Sequence, residues 1–170
     1  KQFTGNLPTG SYVSVPQDLI VGIHWTNTDN RIDLALSTIS ADGKYVWDAN
    51  YRSGRGDVLF SGDITDARKP NGATELFYFK EGVKHSAIML VNYYNFDAAD
   101  PVNCKIVVAG EHPKRFGANY MIDVSNIVAS ASVTIDKRQN VIGLIANVDG
   151  ENRVYFANVS IGNSITSSRG

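Results

Sequence analysis

Alternating hydrophobic and polar positions characterise most of the chain, and the pattern is clearest near the start. Leu19, Val21, Ile23 and Trp25 recur at every second position, and the residues between them are also partly apolar. A strand with apolar residues on both faces is typical of a sheet interior. We therefore expect residues 19–25 to have neighbouring strands on both sides.

The same alternation predicts roughly ten short strands separated by turn-rich segments. They cover residues 12–15, 19–25, 32–40, a return through 45–47, and then 58–61, 74–79, 86–94, 104–109, 130–135, 141–148 and 153–161. A helical period is absent over three turns, and only residues 120–131 are a candidate for a short helix. Short strands at even spacing predict an all-β fold, a two-sheet β-sandwich, with a closed barrel as the alternative.

Turn chemistry predicts how some strands connect. A polar loop at residues 27–30 is expected to join strands 19–25 and 32–40 as a hairpin, and Asp42-Gly43 is expected to turn a second hairpin. Strands 74–79 and 86–94 should pair or face each other. The last three strands are expected to form a meander.

Composition limits the class of protein. The chain has 170 residues, 43% hydrophobic and 19% charged, with a formal net charge of -1. These values favour one globular domain, residues 1–163, followed by a flexible tail at 164–170. A nearly neutral chain is not suited to nucleic acid, and no apolar run reaches the ~18 residues that would predict a membrane span.

The chain offers few residues for catalysis or transition-metal binding. Its single cysteine, Cys104, lies in an apolar run, which predicts a buried thiol and favours a reducing, cytoplasmic location. His24 and His85 lie in or beside predicted strands, and His112 lies in a polar loop. No zinc spacing, phosphate loop or nucleophile elbow occurs. A binding module is therefore favoured over an enzyme.

Acidic residues close three successive strand ends and are the candidate metal ligands. They are Asp33 and Asp63 first, then Asp29 and Asp66, with Glu75 more distant. Calcium takes six to eight oxygen ligands, and carboxylates at turns can supply them. Turn chemistry alone is the alternative, because Asp bonds to nearby backbone in many loops. Glu75 and Asp63 are also the best pair for a glycoside-acting enzyme, a further alternative.

The order of these features resembles the TerD-like family of tellurium-resistance and bacterial stress proteins. The matching pieces, which span somewhat under half the chain, are Ile32-Asp33-Leu34-Ala35-Leu36, Ala41-Asp42-Gly43-Lys44, Ser61-Gly62-Asp63, Gly72-Ala73-Thr74-Glu75-Leu76 and Ala87-Ile88-Met89-Leu90-Val91-Asn92. The resemblance implies a β-sandwich that binds calcium through acidic loops at one end. Here Arg68 and Lys69 lie within the corresponding acidic loop. Two cations there raise the cost of placing a metal, and either could take its place.

The resemblance and the missing catalytic motifs together predict a non-catalytic binding module of a bacterial stress or defence system, with a protein partner and with calcium as a candidate cofactor. The alternative is a structural or adhesive subunit of an assembly. Its aromatic segments, residues 77–79 and 93–96, could pair across subunits. The sequence leaves the oligomeric state open.

Overall fold

The structure is a computed structural model that describes residues 5–6, 11–40, 43–45, 58–62, 64–83, 86–157 and 160–161. The described strands are β1 (Gly5–Asn6), β2 (Tyr12–Val15), β3 (Leu19–Trp25), β4 (Leu34–Ser40), β5 (Gly43–Tyr45), β6 (Val58–Phe60), β7 (Ala73–Phe79), β8 (Ala87–Tyr93), β9 (Val102–Ala109), β10 (Ile127–Ile135), β11 (Gln139–Val148), β12 (Glu151–Phe156) and β13 (Ser160–Ile161). A single 3-10 turn, Val124–Asn126, precedes β10. None of the described residues forms a helix with the length and hydropathy needed to cross a membrane.

The strands form two antiparallel sheets. Sheet A has the order β1-β13-β10-β9-β3-β7-β6, and sheet B has the order β2-β12-β11-β8-β4-β5. Side chains from both sheets meet in one buried cluster that includes Trp25, Phe77, Leu36, Val91 and Ile145. The two inner faces therefore enclose the core, and the predicted two-sheet β-sandwich is confirmed.

Several expectations about single elements are confirmed. Strand β3 lies between β7 and β9, inside sheet A. Strands β7 and β8 do not pair; they belong to different sheets, and both contribute side chains to the same core. Strands β4 and β5 pair antiparallel with Ser40 opposite Gly43, as the predicted hairpin requires. Trp47, and the tail at 164–170, lie outside the described residues.

The predicted hairpin between residues 19–25 and 32–40 is wrong. The loop between β3 and β4 leaves sheet A and enters sheet B, where β4 pairs with β8. Asn27 explains this path, because its backbone N–H donates to the Ala67 carbonyl at 2.8 Å and its side-chain oxygen accepts from the Ile32 N–H at 2.9 Å. These bonds hold the loop across the end of the sandwich.

Two predictions near the end of the chain also fail. Strands β11 and β12 pair as a hairpin, whereas β10 belongs to sheet A, so the three strands do not form one meander. Residues 120–131, the candidate for a short helix, contain only the 3-10 turn, which Asp123 caps by accepting from the Ser125 N–H. Strand β10 then begins at Ile127, and apolar side chains at alternating positions along β10 are buried in the sandwich.

The connection between β9 and β10, residues 110–126, lies over the outer face of sheet A, and we call it the covering segment. Its Phe116, Tyr120 and Ile122 pack on a second apolar cluster in which Leu76 and Tyr78 are buried. Glu111 holds the segment together by accepting hydrogen bonds from the Tyr120 hydroxyl, the Asp123 N–H and the Asn126 side chain. Sheet A therefore has apolar side chains on both faces in the region under the covering segment.

Candidate functional site

The acidic loops meet at one end of the sandwich. Asn27 joins them, because its side-chain N–H donates to Asp66 Oδ1 at 2.8 Å and its oxygen accepts from the Ala67 N–H at 3.2 Å. Arg31 adds a bond from Nη1 to the Thr65 carbonyl at 2.6 Å. The loop before Asp33 and the loop after Gly62 therefore lie side by side, although their flanking strands β4 and β6 belong to different sheets.

Amide, hydroxyl and guanidinium groups hold two carboxylates of this end. The bonds from Asn27 and then Arg68 keep the pKa of Asp66 below its ordinary value. Asp100 accepts hydrogen bonds from Asn30 at 2.9 Å and from Thr28 at 2.7 Å, and these bonds likewise lower the pKa of Asp100. Both carboxylates therefore act as acceptors that tie loops together.

Glu75 contacts the start of the loop after Gly62 but is sealed from solvent between the sheets. Its Oε1 accepts from the Leu36 N–H of sheet B at 2.9 Å, and its Oε2 accepts from the Ile64 N–H at 3.0 Å. Each such N–H would cost about 1–3 kcal/mol if left unpaired in the interior. Glu75 thus bridges the two sheets, and it has no surface that a glycoside could reach.

The remaining predicted ligands do not complete a metal site among the described residues. Asp29 is exposed in the loop, and Asp33 is half-buried just before β4 with its backbone N–H bonded to Asn95 at 3.0 Å. Asp63 lies outside the described residues. Within the described ranges no group of three or more His, Cys, Asp or Glu side chains is placed to hold a metal ion. Calcium binding stays a prediction, and Arg68 already contacts Asp66 at 2.8 Å.

The aromatic segments expected to pair across subunits are mostly interior. Phe77 and Phe79 lie in the core, Tyr78 lies under the covering segment, and Tyr93 is buried with its hydroxyl donating to the Asp100 carbonyl. Tyr94 alone among the described tyrosines of these two segments is exposed. Apart from Tyr94 and the half-buried Phe96, these rings cannot pair across subunits, because alternation sends them to covered faces; the assembly alternative itself stays a prediction.

The two described histidines have structural contacts, and His85 lies outside the described residues. His24 Nε2 lies 2.8 Å from the Asn71 carbonyl, and burial, followed by the charge of Lys105, lowers the pKa of His24. His112 Nδ1 lies 2.7 Å from Asp18 Oδ2 and anchors the start of the covering segment. Burial and the nearby Asp18 carboxylate raise the pKa of Tyr78 to about 12, so its hydroxyl keeps its proton.

A cleft of about 790 Å³ opens on the outer side of sheet A. The start of β7 forms its floor, residues 59–62 form one wall, and residues 116–121 of the covering segment form the other. None of the described residues that line it is charged; they combine apolar and aromatic side chains with Ser, Thr and Asn. A site of this volume and composition fits a neutral ligand that has both apolar and hydrogen-bonding groups.

The cleft exposes a strand edge. Ser61 pairs with Leu76 through its backbone N–H and its hydroxyl, both at 2.9 Å, and Gly62, at φ 117°, turns the chain away from β7. Backbone groups of an antiparallel strand point to alternate sides, so those of Thr74 point the same way as those of Leu76. Among the described residues no strand pairs with Thr74 on that side. Its N–H and C=O therefore point to the side of β7 on which Ser61 lies, and Thr74 lines the cleft there.

Sequence reasoning missed this cleft, because three distant segments build it. The available signal was a group of apolar residues, Phe116, Tyr120 and Ile122, in a stretch with turn residues and no strand period. Such residues predict a loop that packs on an apolar sheet face. By contrast, no sequence pattern predicts which residue types line the walls of the cleft.

Comparison of the chain with family models and with curated proteins finds no match. The TerD-like resemblance therefore rests on the residue pattern of this chain and stays a prediction.

Proposed function

We propose that this protein is a non-catalytic binding module that holds an uncharged, extended segment of a protein partner in the cleft between β6 and the covering segment. The observation that carries the proposal is the edge of β7 at Thr74, which lies beside a cleft with no charged side chain among its described lining residues. An extended peptide can pair with such an edge through its own backbone while its side chains enter neighbouring pockets.

The surrounding residues support this kind of ligand. Leu59, Phe116 and Met121 offer apolar contact on both sides of the edge, and Asn71 and Asn119 offer amide groups at its end. A charged side chain would lose hydration on entering without meeting an opposite charge from the described lining. The preferred segment is therefore uncharged.

The TerD-like resemblance supports the same class, a binding module with a protein partner. That resemblance also leads us to expect that the protein acts in a bacterial stress or defence system and has a cytoplasmic location. Calcium binding is not needed for recognition at the cleft, which lies beside β7 and not among the Asp66 and Asp100 contacts.

The test is a nuclear magnetic resonance titration with a capped, uncharged Thr-Val-Thr-Val-Thr peptide. We expect chemical-shift changes at the amides of residues 59–62, 72–76 and 116–121. Thr74→Pro removes the N–H at this edge and should abolish them, whereas Thr74→Val keeps that N–H and should retain them. A peptide with Glu at its centre should bind more weakly.

Two results would reject the proposal. One is the absence of shifts in these amides at about 5 mM peptide, a concentration that would detect even millimolar affinity. The other is equal binding by the Thr74→Pro and Thr74→Val variants.

A further inference from the structure

The open edge of β7 offers different amounts of space on its two sides. Thr74 points to the outer side of sheet A, like Leu76 and Tyr78, and is exposed. Ala73 and Glu75 point to the inner side and are only 3% and 0% exposed. A side chain beside empty space would be exposed to solvent, so the inner side of this edge is filled and the outer side is open.

Ile64 lies on the inner side of the edge. Its backbone N–H donates to Glu75 Oε2 at 3.0 Å, and its half-buried side chain packs against the shared core and lines the cleft. The chain reaches this position because Gly62 turns it away from the line of β6. A guest strand that continues the line of β6 therefore has Ile64 beside its inner face, with little room there for large side chains.

The outer side of the edge is bounded by aromatic rings of the covering segment. The ring centroids of Tyr78 and Phe116 lie 5.5 Å apart, and those of Phe116 and Tyr120 lie 5.2 Å apart. Phe116 and Tyr120 line the cleft, and the Tyr120 hydroxyl is held by Glu111. Aromatic rings attract one another at centroid distances of about 4.5–7 Å, so a further ring in the cleft can extend this series.

The alternation of a guest strand is fixed relative to Thr74. Residues opposite each other in neighbouring strands point to the same face of the sheet. The guest residue opposite Thr74 therefore points to the outer side, where the rings lie. The guest residues before and after it point to the inner side, where Ile64 lies. This assignment is the same whether the guest strand runs parallel or antiparallel to β7.

We propose that the cleft selects a three-residue pattern, an aromatic residue between two small residues such as Ala, Ser or Gly. The inference rests on the proposed function, because it specifies the side chains of the uncharged segment that pairs with β7. The aromatic ring opposite Thr74 contacts Phe116 and Tyr120, and the small neighbours avoid Ile64. An aromatic residue in place of an aliphatic one should tighten binding by about 3–10-fold.

Three capped peptides test the pattern in the magnetic resonance titration described above. They are Thr-Ala-Phe-Ala-Thr, Thr-Ala-Leu-Ala-Thr and Thr-Val-Phe-Val-Thr. We expect the first to bind about 3–10-fold more tightly than the second, because only the first adds a ring. The third should bind most weakly, although Val favours an extended strand more than Ala does, because its Val side chains meet Ile64.

Two variants test the two sides of the edge separately. Phe116→Leu keeps an apolar side chain and removes a ring, so the Phe-centred and Leu-centred peptides should differ by less than about 2-fold. Ile64→Ala makes room on the inner side and should raise the affinity for Thr-Val-Phe-Val-Thr by at least about 3-fold. Loss of stability does not produce such a gain. Ile127→Ala is the matched control, since Ile127 is also half-buried but does not line the cleft, and it should leave the order of the peptides unchanged.

Failure of this inference differs from failure of the proposed function. The pattern is overturned, and the proposed function stands, if the peptides shift the amides of the cleft but the Val-flanked or the Leu-centred peptide binds as tightly as Thr-Ala-Phe-Ala-Thr. An Ile64→Ala protein with no gain for the Val-flanked peptide also overturns it. If none of the three peptides shifts these amides, the pattern and the proposed function both fail.

Discussion

The outer faces of the two sheets differ although the inner faces form one shared core. On sheet A, Leu76 and Tyr78 point outward and are 2% and 3% exposed, because the covering segment packs on them. On sheet B, Leu144 and Ile88 point outward and remain exposed. The same strand period therefore has two outcomes among the described residues, because the covering segment packs on the outward side chains of β7, whereas Leu144 and Ile88 stay partly in water.

The two outer faces therefore contribute differently to the free energy of unfolding. Burial of apolar surface stabilises the folded chain by about 25 cal/mol per Å², so the covered face contributes to the free energy of unfolding. The outward side chains Leu144 and Ile88 of sheet B contribute less, because they stay partly in water. Substitutions with the same chemistry on the two faces should therefore have unequal effects.

The largest difference is expected for leucine truncation. Leu76→Ala should lower the free energy of unfolding by about 2–4 kcal/mol, because it leaves a cavity under the covering segment. Leu144→Ala should lower it by less than about 1 kcal/mol, because that side chain is already partly in water. Urea denaturation at low micromolar protein measures the free energy of unfolding of both variants. Equal losses would contradict the conclusion that Leu76 is covered and Leu144 is exposed.

A smaller difference is expected for glutamate removal. Glu111→Ala leaves the Tyr120, Asp123 and Asn126 donors without their acceptor, and we expect a loss of about 1–2 kcal/mol. Glu151→Ala on the outer face of sheet B breaks an exposed ion pair with Arg153 and should lower the free energy of unfolding by under about 0.5 kcal/mol. Hydrogen exchange should show faster opening at β7 amides only in the first variant. Unchanged exchange there would mean that Glu111 does not hold the covering segment.

The smallest difference is expected from pH and concerns His24 on the outer face of sheet A. Since the folded pKa of His24 is lowered, the unfolded chain binds the proton more readily. The neutral His24 thus adds stability that is present above the unfolded pKa of about 6.5 and is lost as pH falls below it. The stability gap between wild type and His24→Gln, measured by melting at pH 7.5 and 5.0, should therefore decrease at the lower pH. A gap that stays constant or widens would contradict this.

The fold class could be predicted because alternation is a local signal. The double apolar pattern of residues 19–25 correctly indicated an interior strand. Connections were less predictable, since a polar loop can close a hairpin or cross to the other sheet. The contacts of Asn27 with Ala67 and Asp66 decide between these two paths. Both partners are about 40 residues away in the chain, so no local sequence spacing indicates them.

The candidate site illustrates the same limit. The carboxylate of Asp66 was among the candidate metal ligands and that of Asp100 was not, and for neither does the sequence show whether an amide, a guanidinium or a cation meets it. Glu75 looked like a strand residue near an acidic loop, and only the packing shows that it accepts two backbone N–H groups between the sheets. The cleft needs the positions of three segments that no local pattern relates.

The pairing of β2 with β12 has a consequence for synthesis. Ser14 and its hydrogen-bond partner Glu151 are 137 residues apart in the chain, and β2 has no other strand neighbour within the described sheets. At 5–20 residues per second, a ribosome would take roughly 7 to 30 seconds to deliver β12 after β2 has emerged. During that interval the nascent chain exposes a strand edge, so chaperone capture should protect this protein most before its final hairpin leaves the exit tunnel.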